Sequence, residues 1–358
     1  MNFSKYPSIK QFRNVVNNVD KLFKYELDPE TNEWNYIEDI KAPILKFTGT
    51  VKAHGTNSGL YVSNNNGILT TNAQKRSCAI GKDDDHYGFS EWCYSGNGQI
   101  VALKLYSIYG DILKSNDYVV YGEWVGGNIQ KDVAISGLPK MFIIFGVKVI
   151  EDIFEENDWW LELNDEMLSI PNINVYDVRE FGTFEVDIDF ENPSYIVPKL
   201  QQLTEAVEKE CPIGKYFGRV LGEDNTVGEG IVYSHRLDNG VVLRFKVKGD
   251  KHQSSKVKKL ASVDIEKLNS VKEFVEYAVT ESRLNQAAQE TLTVHDKLIF
   301  DRKKLGNFIK WVSSDIIKEE HDTLTENGLT IKDVGSSINK ACREWFFKQE
   351  NFKKSMVK

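Results

Sequence analysis

The hydrophobic pattern of the chain changes its period once, and that change limits the architectures open to it. From residue 41 to 249 apolar residues fall in short runs of strand length; beyond Gly249 they recur at helical spacing over stretches poor in Gly and Pro. Ile44 to Val51 is strand-like, and Ser58 to Ser63 and Gly67 to Thr71 bracket an Asn-Asn-Asn-Gly turn, a hairpin signal. Tyr118 to Tyr121 and Met141 to Ile150 are apolar runs, the second suited to a buried strand. Ile231 to Ser234 and Val241 to Lys248 flank a second hairpin turn, and residues 82 to 117 are expected to contain a helix. Helical patterns cover 256–290, 302–326 and 331–353, with Ser270-x-x-Glu273 and Thr330-x-x-Asp333 as capping boxes. The expected fold class is α+β, antiparallel sheets with helices over residues 1–250, followed by a small all-α domain over 251–358.

A chain of 358 residues, 41% hydrophobic and 27% charged, is an ordinary globular composition. A core of that size folds without disulfide or metal. The four cysteines (Cys78, Cys93, Cys211, Cys342) lie far apart with no C-x-x-C pair, which argues against zinc or a disulfide framework and for a reducing compartment. The opening MNFSKYPSIKQF lacks a signal-peptide core and no run of 18 apolar residues occurs, so a cytoplasmic protein without a membrane partner is expected. The net charge of −8 speaks at first against nucleic acid, but it describes long-range steering better than a site. Between Val241 and Leu260 the balance reverses: Arg244, Lys246, Lys248, Lys251, Lys256, Lys258 and Lys259 are opposed only by Asp250. This stretch is either a phosphate-holding element or a solvated basic linker.

Familiar nucleotide signatures are missing. No G-x-x-x-x-G-K-[ST] occurs, Gly96-Asn97-Gly98 completes no dinucleotide fingerprint, and the six His residues are dispersed. In VVLRFKVKG, side chains alternate, so Leu243, Phe245 and Val247 face one way and Arg244, Lys246 and Lys248 the other. Three like charges on one face fit an amphipathic surface strand or an anion-holding wall. Glu229 opens EGIVY and shares a face with Ile231 and Tyr233; a carboxylate beside lysines can position a divalent metal or a proton. In TVKAHGTN, residues 50–57, a strand ends on Lys52 and passes into His54-Gly55-Thr-Asn57. Alone, that lysine is a solvated strand-end charge.

Taken in order, Lys52-Ala-His54-Gly55-Thr-Asn57, Arg76, Tyr121-Gly122-Glu123, Phe145, Glu229-Gly-Ile-Val and Lys246-Val-Lys248 resemble the covalent nucleotidyltransferase superfamily of polynucleotide ligases and capping enzymes. That superfamily usually carries K-x-D-G; the histidine version KAHGTN is similar to the branch represented by bacteriophage RNA ligase 2, as is GEWVGGNIQKDV, residues 122–133. The resemblance spans about residues 45 to 249, and the helical tail suits that branch.

The resemblance implies an ATP-grasp-like ligase domain over 1–250 and an RNA-binding helical domain over 251–358. It implies a monomeric ATP-dependent RNA ligase using Mg²⁺, joining a 3′-hydroxyl to a 5′-phosphate at nicks in duplex RNA; the alternatives are a DNA ligase, a GTP-dependent capping guanylyltransferase, or a non-catalytic RNA-binding protein that retains the fold. Lys52 would carry AMP, which requires it to lose a proton although free lysine has a pKa near ~10.4; burial and neighbouring cations favour the neutral amine. By the same resemblance Arg76 contacts phosphate, Glu123 the ribose hydroxyls, and Phe145 stacks on adenine. Glu229 holds the metal, Lys246 and Lys248 the ATP phosphates, and His54 and Asn57 orient phosphate at the nick, with Gly55 inside the motif. Arg244 and Lys131 are either phosphate contacts or plain surface charge. The branch often carries an acidic residue after the aromatic; here Gly146 follows Phe145, so any contact made there must come from elsewhere. In the helical region Arg302, Lys303, Lys304, Lys340, Arg343, Lys353 and Lys354 are interleaved with Trp311, Trp345 and Phe346. That pattern fits RNA-backbone binding or an ordinary helical face over core aromatics.

Overall fold

The computed structural model describes residues 2–31, 33–37, 39–84, 86–131, 133–151, 158–219, 227–249, 271–294, 297–326 and 328–356. Two compact units emerge: Met1–Ile9, Ile44–Ile188 and Gln202–Lys246 form the first, and Lys10–Pro43, Asp189–Gln201 and Val247–Lys358 the second.

The first unit is built on two antiparallel sheets. Eight strands matter for the site: β1 (Ile44–Lys52), β2 (Thr56–Asn65), β3 (Ile68–Lys75), β4 (Asp117–Val125), β5 (Met141–Ile150), β6 (Thr183–Asp189), β7 (Gly230–Arg236) and β8 (Val242–Lys248). One sheet runs β8-β7-β1-β6; the other runs Trp159–Trp160, β5, β4, β2, β3, Cys78–Ala79, with Val175–Asp177 added parallel to β5. Seven of these eight strands fall where the sequence pattern predicts them, several extended at an end; β6 is not among those expectations. The run expected at Tyr118 to Tyr121 continues to Val125, because Gly122 and Glu123 stay in the β4 ladder despite breaking the apolar pattern. The helix expected within 82–117 is α2 (Gly98–Leu113), which buries Val101, Ala102, Leu105 and Tyr109 against Leu60, Val62, Tyr118 and Val120. Those residues recur one turn apart, the spacing of a single apolar stripe.

On β8 the expected alternation holds. Leu243, Phe245 and Val247 are buried, while Arg244, Lys246 and Lys248 lie on the other, half-open face. The buried face packs Phe245 against Phe47 and Tyr233, ring centroids 5.3 and 5.0 Å apart. Each such aromatic burial contributes about 1.5–3 kcal/mol, and this one fixes which way the cations of β8 face.

The second unit is helical. Its helices include α1 (Phe12–Lys24), α3 (Val271–Ala278), α4 (Glu281–Leu292), α5 (Leu305–Glu326) and α6 (Ile331–Met356). α1 is not among the expectations above, although Phe12, Val15, Val16 and Val19 carry its spacing and are buried. At the start of α6 only half of the expected capping box forms: the Asp333 carboxylate accepts from the Thr330 N–H (2.7 Å) and hydroxyl (2.6 Å). The box at Ser270, the helical pattern before Val271, and Lys251, Lys256, Lys258 and Lys259 lie outside the described residues.

A buried charge network ties the unit together. Arg283, fully buried, donates to Asp315 (2.8 Å), to Glu320 (3.4 Å) and to the Ala278 carbonyl. Glu320, also fully buried, accepts from the Tyr277 hydroxyl (2.7 Å) and from Arg13 of α1 (3.3 Å). Of the aromatics expected to interleave with basic residues, Trp345 and Phe346 belong to the core: Trp345 stacks on Phe308 at 5.5 Å and donates to Glu281, and Phe346 is fully buried. Trp311 packs on the same core, so these rings serve packing, while Lys303, Lys340 and Arg343 are exposed and Lys304 is half-buried. Among the described residues no helix is long and apolar enough to cross a membrane.

Candidate active site

The site grows from the end of β1. The β1–β7 register sets Gly230 opposite Lys52, so Glu229, one residue before β7, lands beside the lysine and the turn that follows it. Lys52 Nζ donates to Glu229 Oε2 at 2.7 Å, and His54 Nδ1 lies 2.9 Å from the same oxygen. An ionised carboxylate only accepts, so this contact places a proton on His54 Nδ1. The Glu229 side chain is 2% exposed while Lys52 keeps 22% open, so the carboxylate is the buried anchor and the amine the accessible end. Where the sequence led us to expect cations around Lys52, the group in direct contact is an anion.

The turn after Lys52 is shaped by a close approach. A methyl group on Gly55 would collide with the Trp124 carbonyl oxygen and lie 2.6 Å from a Val125 methyl, so only glycine lets β2 start against β4. The approach brings Asn57 opposite Glu123 in the β2–β4 ladder. Gln130 Nε2 donates to the Gly55 carbonyl at 3.4 Å.

Glu123 retains some open surface, yet it is enclosed deeply enough that desolvation dominates its titration. Burial pushes its pKa up to about 7; Lys52, the Gly55 N–H and Arg76 pull it down, and Glu229 pushes it further up. A carboxyl poised near neutrality in a cleft is a functional-site signature. Arg76 lies just past β3, its guanidinium donating to the Ser8 hydroxyl at 3.0 Å.

At the other end of the site the β4–β5 ladder is interrupted. Tyr121 pairs with Gly146 but Gly122 pairs with Ile144, leaving Phe145 as the extra residue of a β-bulge. Phe145 is half-buried, its ring 5.0 Å from that of Tyr6. Tyr6 also packs on Tyr121 (5.0 Å) and Trp160 (5.7 Å). Its segment is pinned by Ser4, which exchanges hydrogen bonds with Gln74 and accepts from the Tyr121 hydroxyl. Burial raises the Tyr6 pKa, with Arg244, Glu123 and Arg76 as its charged neighbours.

The structure thus joins Lys52, His54 and Glu229 directly, sets Asn57, Gly55, Glu123 and Arg76 around them, and presents Lys246 and Lys248 on the sheet face that carries Lys52. Arg244 shares that face but lies on the Trp160 ring, 3.9 Å from its centroid, and Lys131 is exposed. Tyr6 and Trp160 were not expected. Neither lies in a periodic segment, so the sequence offers no signal for them.

Among the described residues no three His, Cys, Asp or Glu side chains form a ready metal cage. A Mg²⁺-type ion needs only one or two carboxylates and takes its remaining ligands from phosphates and water, which fits Glu229.

A family model described as RNA ligase matches residues 45–248. Solved structures similar to the chain include a Naegleria gruberi RNA ligase mutant with AMP and Mn (14% identity, TM-score 0.39) and another mutant of it with ATP and Mn (14%, TM-score 0.38). Each match covers 69% of this chain and 56% of that one. An archaeal ATP-dependent RNA ligase is 11% identical over 96% of this chain and 65% of its own, with a TM-score of 0.36. The chain therefore spans less than two thirds of these proteins. No curated protein matches it.

Proposed function

Since the chain belongs to the RNA ligase family, we propose that it joins RNA 3′-hydroxyl and 5′-phosphate ends, at nicks in duplex RNA, in an ATP-dependent reaction. The observation that carries this reading is Lys52: an accessible amine at a strand end, held by a buried carboxylate, with the cation-bearing strand β8 two places along the same sheet.

In the first step the Lys52 amine gives up its proton and its contact with Glu229. It forms a bond to the α-phosphorus of ATP as the bond to pyrophosphate breaks. In the second, an oxygen of the RNA 5′-phosphate attacks the lysyl-AMP phosphorus, the P–N bond breaks and the lysine regains a proton. In the third, the 3′-hydroxyl attacks the activated 5′-phosphorus, loses its proton and expels AMP. Lys246 and Lys248 neutralise phosphate charge, Lys248 at the α-phosphate, where preorganised cations act most strongly. Arg76 adds a phosphate contact, ionised Glu123 accepts from the ribose hydroxyls, and Phe145 stacks on the base. His54 and Asn57 orient phosphate at the nick. Glu229 would hold Mg²⁺, which when bound supplies further charge neutralisation at the phosphates. We assign nucleotidyl transfer to residues 1–250 and RNA-backbone contact to the exposed basic residues of 251–358.

The test is incubation with labelled ATP and Mg²⁺ followed by denaturing electrophoresis. Label should survive on the wild-type chain and be absent from Lys52→Ala; a folded protein that takes no label refutes the reading. Nicked duplex RNA, nicked DNA and single strands then identify the substrate.

A further inference from the structure

The base end of the site has an unusual hydrogen-bonding character. Because Phe145 is the extra residue of the bulge, it and Gly146 both face the side lined by Tyr6, Tyr121 and Trp160, whereas Phe142, Ile144, Val147 and Val149 face the opposite core. A side chain at 146 has no room to enter: its first carbon would already stand 3.3 Å from the Trp160 ring. Trp160 is itself fixed. It pairs with Lys148 at the sheet edge, packs on Tyr6 and on Tyr121 (5.6 Å), and its carbonyl accepts from Arg236. The indole therefore fills the space in which an acceptor after Phe145 would stand.

Arg244 lies on that indole. Its guanidinium carbon is 3.9 Å from the ring centroid, a cation–π contact that fixes the plane of the fork. Among the described residues no carboxylate or carbonyl accepts from it, and the charged group beside it, Arg236, is a like charge. Partly buried donors without acceptors are unfavourable, so such a group is completed by a ligand. Along β8, Arg244 lies two residues from Lys246 and four from Lys248, about 7 and 13 Å further from the phosphate end. Through Trp160 and Tyr6 it belongs to the same aromatic group as Phe145, which sets it at the base end.

We infer that Arg244, held on Trp160, reads the edge of the bound purine and makes the site accept 6-oxopurine triphosphates such as GTP and ITP alongside ATP. The inference rests on the proposed lysyl-nucleotide chemistry and on Phe145 as the base-stacking wall. Guanine and hypoxanthine present O6 and N7, two acceptors matched to the arginine fork. Adenine presents N7 but sets the N6 amino group, a donor, against the other arm.

The experiment compares covalent labelling of the full chain by α-labelled ATP, GTP and ITP with Mg²⁺. Wild type should be labelled by all three. Glutamine suits adenine N6 and N7, so Arg244→Gln, with its fold checked by circular dichroism and the urea midpoint, should lower the GTP-to-ATP labelling ratio on the order of 10- to 100-fold. Arg244→Lys keeps the charge but loses the fork, so it should lower the same ratio. A phosphate-contacting Arg244 would change all three nucleotides equally in both variants, which overturns the inference. So does a wild type that takes ATP but refuses GTP and ITP. Absence of label from every nucleotide instead removes the lysyl-nucleotide reading, and this inference with it.

Discussion

The Lys52 amine rests 2.7 Å from a Glu229 oxygen that has almost no access to water. In that contact the lysine donates to a carboxylate, and an ammonium, which has no lone pair, cannot attack phosphorus. The proposed mechanism requires this pair to part before Lys52 attacks. Lys52→Ala should abolish covalent labelling. Glu229→Ala should lower its rate roughly 10²-fold or more, the usual scale for losing one preorganised electrostatic group. Single-turnover labelling with ATP measures both.

Glu123 gives a pH test. Its pKa is raised from the usual carboxylate range to about 7, chiefly by burial. The folded state then holds its proton to higher pH than the unfolded state does. Stability from this group is fully present below the unfolded pKa, near ~4.3, and is lost as pH rises through about 7. The Tm advantage of Glu123→Gln over wild type should grow between about pH 4.5 and 7 and then level off. In wild type the apparent KM for ATP should fall as Glu123 ionises, and that inflection should vanish in Glu123→Gln. Thermal melts across the range, paired with labelling at several ATP concentrations, read both effects.

Gly55→Ala should destabilise the chain by about 1–3 kcal/mol, because its methyl group meets the Trp124 carbonyl and a Val125 side chain. Urea unfolding measures the loss. Labelling should fall as well, because the β2–β4 ladder that sets Asn57 opposite Glu123 begins there.

Glu320→Ala removes the carboxylate shared by Arg283, Tyr277 and Arg13. It leaves a fully buried arginine short of a counter-charge, and the expected loss is about 3–5 kcal/mol. The urea midpoint checks it. Replacing Glu320 by Gln should recover part of the loss by restoring hydrogen bonds without charge.

How much of this was legible in the sequence depended on the kind of interaction. Met141–Ile150 was readable because a buried strand is apolar throughout, and the faces of β8 because alternation is obligatory. Lys52, Glu229 and Glu123 were found by motif order, which survives even where periodicity is silent. The bulge at Phe145 was hidden: Phe142 and Ile144 give way to Val147 and Val149 on the core face, but Ile143 and Phe145 are apolar too and mask the change of parity. Arg244 was assigned to the correct face, yet its partner, Trp160, comes from a two-residue strand with no pattern of its own. Tyr6 arrives from an irregular N-terminal segment, where only packing decides position.

The contact between Arg13 and Glu320 joins residues 307 positions apart. During synthesis α1 leaves the ribosome early, but Glu320 and Thr323, the acceptors of Arg13, are added only near the end. At ordinary elongation rates that interval is on the order of 15–60 s. For that time the Arg13 guanidinium lacks the acceptors that hold it in the folded unit. The first helix to be made is thus among the last to complete its polar contacts, and a chain truncated before α5 leaves Arg13 without either acceptor.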